Sequence, residues 1–214
     1  MFGFLGEAVR NYRTTGAVAP SSRGLARAMT SNLHTCEGPR RFLEVGSGTG
    51  AFTRHILQGM RDGDSLDAVE LSAPFARRLD DDVVAPHRRC HPGQSVRVHQ
   101  CAIEEAELDG PYHAIVCGLP FNNFPLELTQ RIFDIMLGLL APGAWLTYFE
   151  YVGMRPMKAP FVGGGGRRAL RSHGDFLSEL ERDHNGRRTL ITMNIPPAWS
   201  VHLQAASPSE DTHG

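Results

Sequence analysis

A chain of 214 residues is long enough for one sizeable hydrophobic core and crowded for two. Its formal net charge of -1 points to neither a nucleic-acid binder nor an acidic protein. The start, "MFGFLGEAVRNYR", is too short and interrupted for a signal peptide, and no apolar run approaches bilayer-crossing length, so a cytoplasmic chain is expected.

Charge is unevenly spread. Residues 1–41 carry six arginines (Arg10, Arg13, Arg23, Arg27, Arg40, Arg41) against Glu7 and Glu37, and residues 155–188 carry eight basic groups against four acidic ones. The four cysteines, Cys36, Cys90, Cys101 and Cys117, show no CxxC spacing, and buried free thiols are expected rather than disulfides or zinc ligands.

Strand and helix patterns then alternate along the chain. Residues 41–46, "RFLEVG", read as an apolar strand, and after a glycine cluster "AFTRHILQGM" (51–60) suits a helix. A second strand over 64–71 leads to a helix over 73–84, a third strand over 95–99 follows, and "YHAIVCG" (112–118) is an apolar fourth. The spacing of Leu128, Ile132, Ile135, Met136 and Leu139 predicts a helix over 126–140, stopped by Ala-Pro-Gly before a fifth strand at 144–152. The run Gly163–Gly166, beside Met154, Met157, Phe161 and Arg167–Arg168, reads as a mobile loop. Beyond it come a helix over 168–183 interrupted by Gly174, a sixth strand over 187–195, a seventh over 199–203, and a loose tail from Ala205. Repeated units of this size predict a single-domain α/β fold with a doubly wound, mostly parallel, seven-stranded sheet.

The cluster "EVGSGTG" places Glu44, Gly46, Ser47, Gly48 and Gly50 between the first strand and its helix. Glycines there permit a tight turn and close backbone approach to a ligand. Glu70, twenty residues after Gly50 at the end of the second strand, can accept both hydroxyls of a ribose. A dinucleotide site spaces its glycines as GxGxxG to seat a pyrophosphate. Here an acid precedes the first glycine by two positions, which suits the ammonium and sulfonium of S-adenosylmethionine better than a diphosphate.

"VCGLPFNNFP" (116–125) ends a buried strand in alternating aromatic and amide groups. Methyl transfer demands orientation of a lone pair along the carbon–sulfur bond. The loop is similar to the one that approaches the transferred methyl in S-adenosylmethionine-dependent N-methyltransferases. That likeness implies that the carbonyls of Gly118 and Leu119 and the amides of Asn122 or Asn123 position an amine hydrogen, while Phe121 or Phe124 exclude water or face a cation. Equally, both rings can be core anchors and the asparagines can cap the next helix. Tyr148, Tyr151, His113 and Glu150 are candidate proton acceptors near strand ends, as is water.

"FLEVGSGTGAFTRHIL", "VELS", "GLPFNNFP" and "LLAPGAWLTYFEY" together resemble the class I S-adenosylmethionine-dependent methyltransferases, specifically the small bacterial phosphatidylethanolamine/phospholipid N-methyltransferases. "TTGAVAPSSRGLARAM" and "NIPPAWSV" are similar to that family too, so the resemblance covers residues 1–204. The Leu-Pro-aromatic element resembles, more distantly, the matching loop of ribosomal RNA adenine dimethyltransferases.

The resemblance implies a Rossmann-like methyltransferase binding S-adenosyl-L-methionine, releasing S-adenosyl-L-homocysteine and using no metal. Glu44, Gly46, Ser47, Gly48, Gly50, Glu70, Leu71 and Gly118 would hold the cofactor, with Cys101, Ala102 and Ile103 bordering adenine. Where the family has Gly-Asp-Ala this chain has Gln-Cys-Ala at 100–102, so an adenine contact falls to Gln100, Glu104 or a backbone carbonyl. Gly118, Leu119, Asn122, Asn123, Tyr148 and Tyr151 form the implied catalytic set, and Phe121, Phe124, Arg167 and Arg168 the substrate set. The implied substrate is phosphatidylethanolamine, methylated towards phosphatidylcholine. Alternatives are an ornithine-containing aminolipid, an RNA base, another small amine, or a cofactor-binding module without activity. Residues 1–35 would be a helical extension, 36–204 the catalytic domain and 205–214 a flexible tail. The stripe Phe2, Phe4, Leu5 and Val9 beside Arg10 and Arg13 fits an amphipathic helix on an anionic membrane. A monomer on the inner face of the cytoplasmic membrane, with no nucleic-acid partner, is the implied setting.

Overall fold

In a computed structural model of the protein, residues 21–33, 37–152 and 164–207 are described, with only the backbone for 164–172. Seven strands form one sheet: β1 (Arg41–Val45), β2 (Ser65–Val69), β3 (Ser95–His99), β4 (Tyr112–Cys117), β5 (Leu140–Tyr151), β6 (Arg187–Ile191) and β7 (Ala198–Gln204). Their order is β3-β2-β1-β4-β5-β7-β6. β1 to β5 pair in parallel, and β7 runs antiparallel to both β5 and β6. The expected doubly wound, mostly parallel sheet is present.

Parity along the strands builds two cores, since side chains alternate between faces. Leu43, Val45, Ile115, Cys117, Leu146 and Tyr148 face one way, onto helix α5 (Leu126–Gly138) and the described part of α6 (Gly164–Asp183). Phe42, Ala68, Val116 and Phe149 face the other, onto α1 (Arg23–Met29), α2 (Thr53–Gly59) and α3 (Ala73–Leu79). Strands buried on both faces read as continuous apolar runs, which is why "RFLEV" and "YHAIVC" are legible as strands without alternation.

Several elements depart from expectation. The first post-glycine helix begins at Thr53 rather than Ala51, because the Gly50 amide donates back to Ser47 and closes a turn first. The helix from Ala73 does not stop at Val84: a π-helical turn, Asp80–Val84, carries it into α4 (Ala85–Cys90). Pro86 has no amide hydrogen to give the carbonyl four residues back, and a widened turn accommodates it.

Ala-Pro-Gly at 141–143 is not a stop but part of β5. The strand pairs at Leu140↔Tyr112, then resumes at Trp145↔Ala114, so the tripeptide sits in an irregularity of register, with Gly143 at φ 71. Gly164–Gly166, expected in a loop, form the first backbone turn of α6. What holds that helix is its later part: Leu177 is buried and Phe176 and Leu180 pack on the core. β6 ends at Ile191, and residues 192–197 turn rather than extend the strand. Of the cysteines, Cys117 is buried, with burial pushing its thiol up to about 12, but Cys90 is exposed and Cys101 half-buried; Cys36 lies outside the described residues.

Arg40, counted by sequence among a basic docking group, is instead 1% exposed. Its guanidinium meets Asp64, with Nη2 to Oδ2 at 2.5 Å. It therefore adds no positive charge to a lipid-facing surface. α1, within the residues read as an extension, buries Leu25, Ala26 and Met29 in the second core.

Candidate active site

β1 is the point where strand order reverses, with β2 on one side and β4 on the other, and ligands of open α/β sheets bind in the crevice outside such a point. The turn after β1 is pinned to β2: the amides of Gly46 and Ser47 both donate to the Val69 carbonyl, at 2.8 and 3.2 Å. The loop after β4 is pinned to β1 through the Gly118 amide and the Val45 carbonyl, 2.8 Å apart. The two loops touch. A Cβ on Gly46 would lie 2.6 Å from Leu119 Cδ2, and one on Gly118 would lie 2.7 Å from the Gly46 carbonyl oxygen. Gly48 differs: at φ 56 its backbone is left-handed, yet a Cβ there would meet nothing within 4 Å. The glycine turn is thus packed at its base and open at its tip.

Glu70 closes the turn from the side. Its Oε2 accepts from the Gly48 amide and its Oε1 from the Ser72 amide, both at 2.7 Å. A carboxylate held by two backbone donors has a fixed orientation, and its oxygens are acceptors of the kind vicinal hydroxyls need. Leu71, half-buried beside it, leads to Ser72, the N-cap of α3, whose buried Oγ has no hydrogen-bond partner among the described residues.

Glu44 is fully buried on β1. Its Oε2 accepts from the Thr53 hydroxyl at 2.6 Å, and its Oε1 has no hydrogen-bond partner among the described residues. Burial is the main reason its carboxyl is pushed up to about 8. An orphaned buried carboxylate oxygen under an open glycine turn, with a second carboxylate set by that turn, fits the ammonium and ribose of S-adenosylmethionine. Thr53 and Ser72 were not read from the sequence. Thr53 stands nine residues after Glu44 in the first turn of the glycine helix, and Ser72 is a helix N-cap in "ELSAP"; both positions carry recognisable signals.

Ala102 and Ile103, proposed beside adenine, are buried after β3, with Ile103 opening a short 3₁₀ turn, Ile103–Glu105. Cys101 is half-buried with its thiol pushed up, first by burial and then by the Glu105 charge. Gln100 and Glu104 are exposed.

The loop after β4 forms a 3₁₀ turn, Phe121–Asn123. Phe121 is 1% exposed and stacks among Phe124, Phe133 and Tyr148, with centroids 6.0, 4.7 and 6.1 Å away. Phe121 and Phe124 are thus core rings, as the packing alternative had it, rather than rings presented to a cation. The capping alternative fails: α5 starts after Pro125 without a side-chain cap bond. Asn122 is half-buried and Asn123 exposed.

Tyr148 and Tyr151 lie within β5, not after it, and three residues apart on a strand they face opposite sides. Tyr148 belongs to the core under α6, and its hydroxyl donates to Glu181 Oε1 at 3.5 Å. Tyr151 packs on Phe149 in the other core. Glu150, on the Tyr148 side, is buried 3.9 Å from Arg188. Arg188 also pairs with Glu181. His113 sits at the beginning of β4, at the opposite end of the sheet, where its Nδ1 accepts from the Arg41 amide at 2.9 Å; it cannot serve this site. The side chains of Arg167 and Arg168, and residues 2–13 of the basic-apolar stripe, lie outside the described residues.

If Glu70 accepts ribose hydroxyls, Glu70→Ala is expected to weaken S-adenosylmethionine binding by about 1–3 kcal/mol while the chain stays folded. Titration calorimetry showing unchanged affinity would remove Glu70 from the site.

No protein-family model matches the chain. By sequence it is similar to an ornithine lipid N-methyltransferase from Singulisphaera acidiphila, with 30% identity over 149 residues, 66% of this chain and 72% of that protein. Its fold is similar to that of a putative rRNA-methylase from Clostridium thermocellum, at a TM-score of 0.61 and 12% identity over 87% of this chain and 98% of the other. It is also similar to an O-methyltransferase from Bacillus cereus solved with S-adenosylhomocysteine, at a TM-score of 0.60 and 15% identity over 95% and 91%. These structural likenesses show the fold; the sequence relative adds the family. With the strand order, the glycine turn and its two carboxylates, they make the chain a class I S-adenosylmethionine-dependent methyltransferase of the lipid N-methyltransferase family.

Proposed function

We propose that the protein methylates the primary amine of a lipid headgroup, with an ornithine-containing aminolipid the first candidate. The observation that carries this order is the 30% identity to an ornithine lipid N-methyltransferase over 72% of its length. Phosphatidylethanolamine, favoured by the sequence motifs, is the second candidate. Both present a primary amine near an anionic group, which explains why motifs common to such enzymes do not separate them.

Bound S-adenosylmethionine supplies an electrophilic methyl group; the chain's residues hold and orient. Glu44 Oε1 would take the cofactor's ammonium, Glu70 its ribose, and the Gly46–Gly50 turn would pass beneath its methionyl part. Across the crevice, the carbonyls of Gly118 and Leu119 and the side chain of Asn122 would accept amine hydrogens and aim the lone pair. An alkylammonium must lose a proton before attack. Glu150 stands on β5 two residues past Tyr148, which pairs with the last residue of β4, and so reaches beyond the β4 strand end. It is the described carboxylate best placed to take that proton, with the Arg188 guanidinium 3.9 Å away. Tyr151, on the other face, has no part in that step. Arg167, Arg168 and the stripe Phe2, Phe4, Leu5, Val9, Arg10 and Arg13 would serve the headgroup and an anionic membrane on its inner face. Among the described residues no helix is long and apolar enough to cross a membrane.

The decisive experiment supplies labelled S-adenosylmethionine with ornithine lipid and phosphatidylethanolamine side by side in mixed micelles and separates the products. Label in neither lipid would reject the reading; label in phosphatidylethanolamine alone would reverse the order. Asn122→Ala is expected to lower kcat/KM by roughly tenfold to a hundredfold, the worth of a hydrogen bond to a charged group, with cofactor affinity unchanged. Equal kinetics would move the aiming role to the backbone carbonyls alone.

A further inference from the structure

We propose that the turn between β6 and β7, residues 192–197, is a preformed apolar prong that enters an anionic lipid bilayer and sets the active-site crevice against it. The proposal rests on the lipid-amine reading for its purpose, but its evidence is separate.

Strand direction places the turn. β7 runs antiparallel to β5 and β6 antiparallel to β7, so the end of β6 and the start of β7 lie at the edge of the sheet where β1, β4 and β5 end. That edge also carries the glycine turn. Among the described residues, the large hydrophobic side chains that stand out to solvent are Val152 (39%), Leu190 (44%), Met193 (84%) and Ile195 (80%). All four lie on β6, in this turn, or at the residue following β5. Scattered exposed hydrophobics are ordinary; their confinement to one corner of the molecule, on the sheet edge that carries the site, is not.

The turn is held firmly. Asn194 points inward and is buried, its Nδ2 donating to the Pro196 carbonyl at 2.7 Å and its Oδ1 accepting from the Ser22 amide at 2.9 Å. The Val152 amide donates to the Pro197 carbonyl at 2.8 Å, tying in the end of β5. With Asn194 anchored inside, its neighbours Met193 and Ile195 project outward. Arg23, exposed at the start of α1, follows immediately on Ser22, so a cation stands next to the apolar tip.

A convex tip of two side chains offers little area for a stable protein interface, which needs on the order of 1,000 Å² or more. Lipid needs only a shallow insertion of apolar groups with a basic residue at headgroup level.

The test uses the full chain with vesicles of phosphatidylglycerol and phosphatidylcholine. Met193→Ser combined with Ile195→Ser is expected to lower the vesicle partition coefficient about tenfold or more, near 1.4 kcal/mol, leaving S-adenosylhomocysteine affinity and the urea midpoint unchanged. Separately, the emission that Met193→Trp adds to that of the parent's Trp145 and Trp199 is expected to shift to the blue with anionic vesicles and to be quenched by brominated lipid. Undiminished partitioning of the double variant, or an indole not quenched by lipid, overturns the proposal. So does emission already blue-shifted without vesicles, which would mean that protein covers the turn, or loss of a dimer in the double variant, which would make the turn a self-contact. Failure of the wild type to methylate any aminolipid in detergent micelles would reject the functional reading and leave the partitioning result standing.

Discussion

Arg40→Ala is expected to destabilise the protein by about 3–5 kcal/mol, the cost of stripping one partner from a buried ion pair. Both side chains are 1% exposed. The guanidinium bonds Asp64 through Nε and Nη2, gives Nη1 to the Leu33 carbonyl at 2.9 Å and Nη2 to the Gly59 carbonyl at 2.8 Å. The Arg40 amide also donates to Asp64 Oδ1 at 2.7 Å, and the Arg61 amide to Oδ2 at 2.7 Å. Burial by itself pushes the Asp64 carboxyl up, but these donors outweigh it and the net shift is downward, so the carboxylate is charged. One side chain thus joins the segment after α1, the end of α2 and the entry to β2. Truncation leaves a buried carboxylate and two carbonyls short of donors. Urea unfolding followed by circular dichroism measures the loss. A change under about 1 kcal/mol would show that water replaces the guanidinium at little cost. Arg40→Met keeps the volume but not the charge and should be nearly as damaging, because the stranded carboxylate rather than a cavity sets the effect.

That pair also marks where sequence reading reaches its limit. Arg40 and Arg41 are adjacent and chemically alike, yet one is sealed inside and the other is half-buried, its guanidinium carbon 5.3 Å from the Tyr112 ring centroid. Nothing local separates them; the partner lies twenty-four residues on. Strands were legible because burial on both faces writes a continuous apolar run. The glycine turn was legible because three alternate residues with φ of 75, 56 and 86 require glycine or tolerate little else. The β5 boundary was missed because Ala-Pro-Gly reads as a terminator whether it ends a helix or lies inside a register irregularity. Phe121 was ambiguous for a comparable reason, since an aromatic residue after a strand can face a ligand or a core, and only the rings brought by α5 and β5 decide. The opposite facing of Tyr148 and Tyr151, however, was available from parity alone. So was the turn at 192–197, where "TMNIPP" holds two prolines that suit a strand interior poorly.

Glu44→Gln is expected to remove a pH dependence from both stability and cofactor binding. In the folded protein burial raises the carboxyl from an ordinary 4.5 to about 8, despite the Thr53 hydroxyl; Ser47 also lowers it, and the nearby Glu70 charge raises it. Between those values the folded chain keeps a proton that the unfolded chain gives up. The group's contribution to stability is therefore complete below about pH 4.5 and declines as pH rises to about 8, by as much as a few kcal/mol in all. Glutamine keeps an oxygen for Thr53 and has no proton to lose, so the urea midpoint of Glu44→Gln should fall less than that of the parent between pH 5 and 8. Binding couples to the same proton. A cofactor ammonium at Oε1 favours the ionised carboxylate, so association near pH 7 should release a proton. Calorimetry in buffers of different ionisation enthalpy would then give different apparent heats for the parent and equal heats for the variant. Affinity should fall about tenfold or more in the variant, since a charge-assisted contact is worth about 1.5–3 kcal/mol. Heats independent of buffer in the parent, with affinity unchanged in Glu44→Gln, would mean that the cofactor ammonium does not reach the orphaned oxygen and that Glu44 serves only to hold Thr53. A variant that loses affinity with no buffer effect in the parent would instead mean that the carboxylate is already ionised before binding, with the Thr53 and Ser47 hydroxyls holding its charge against the burial.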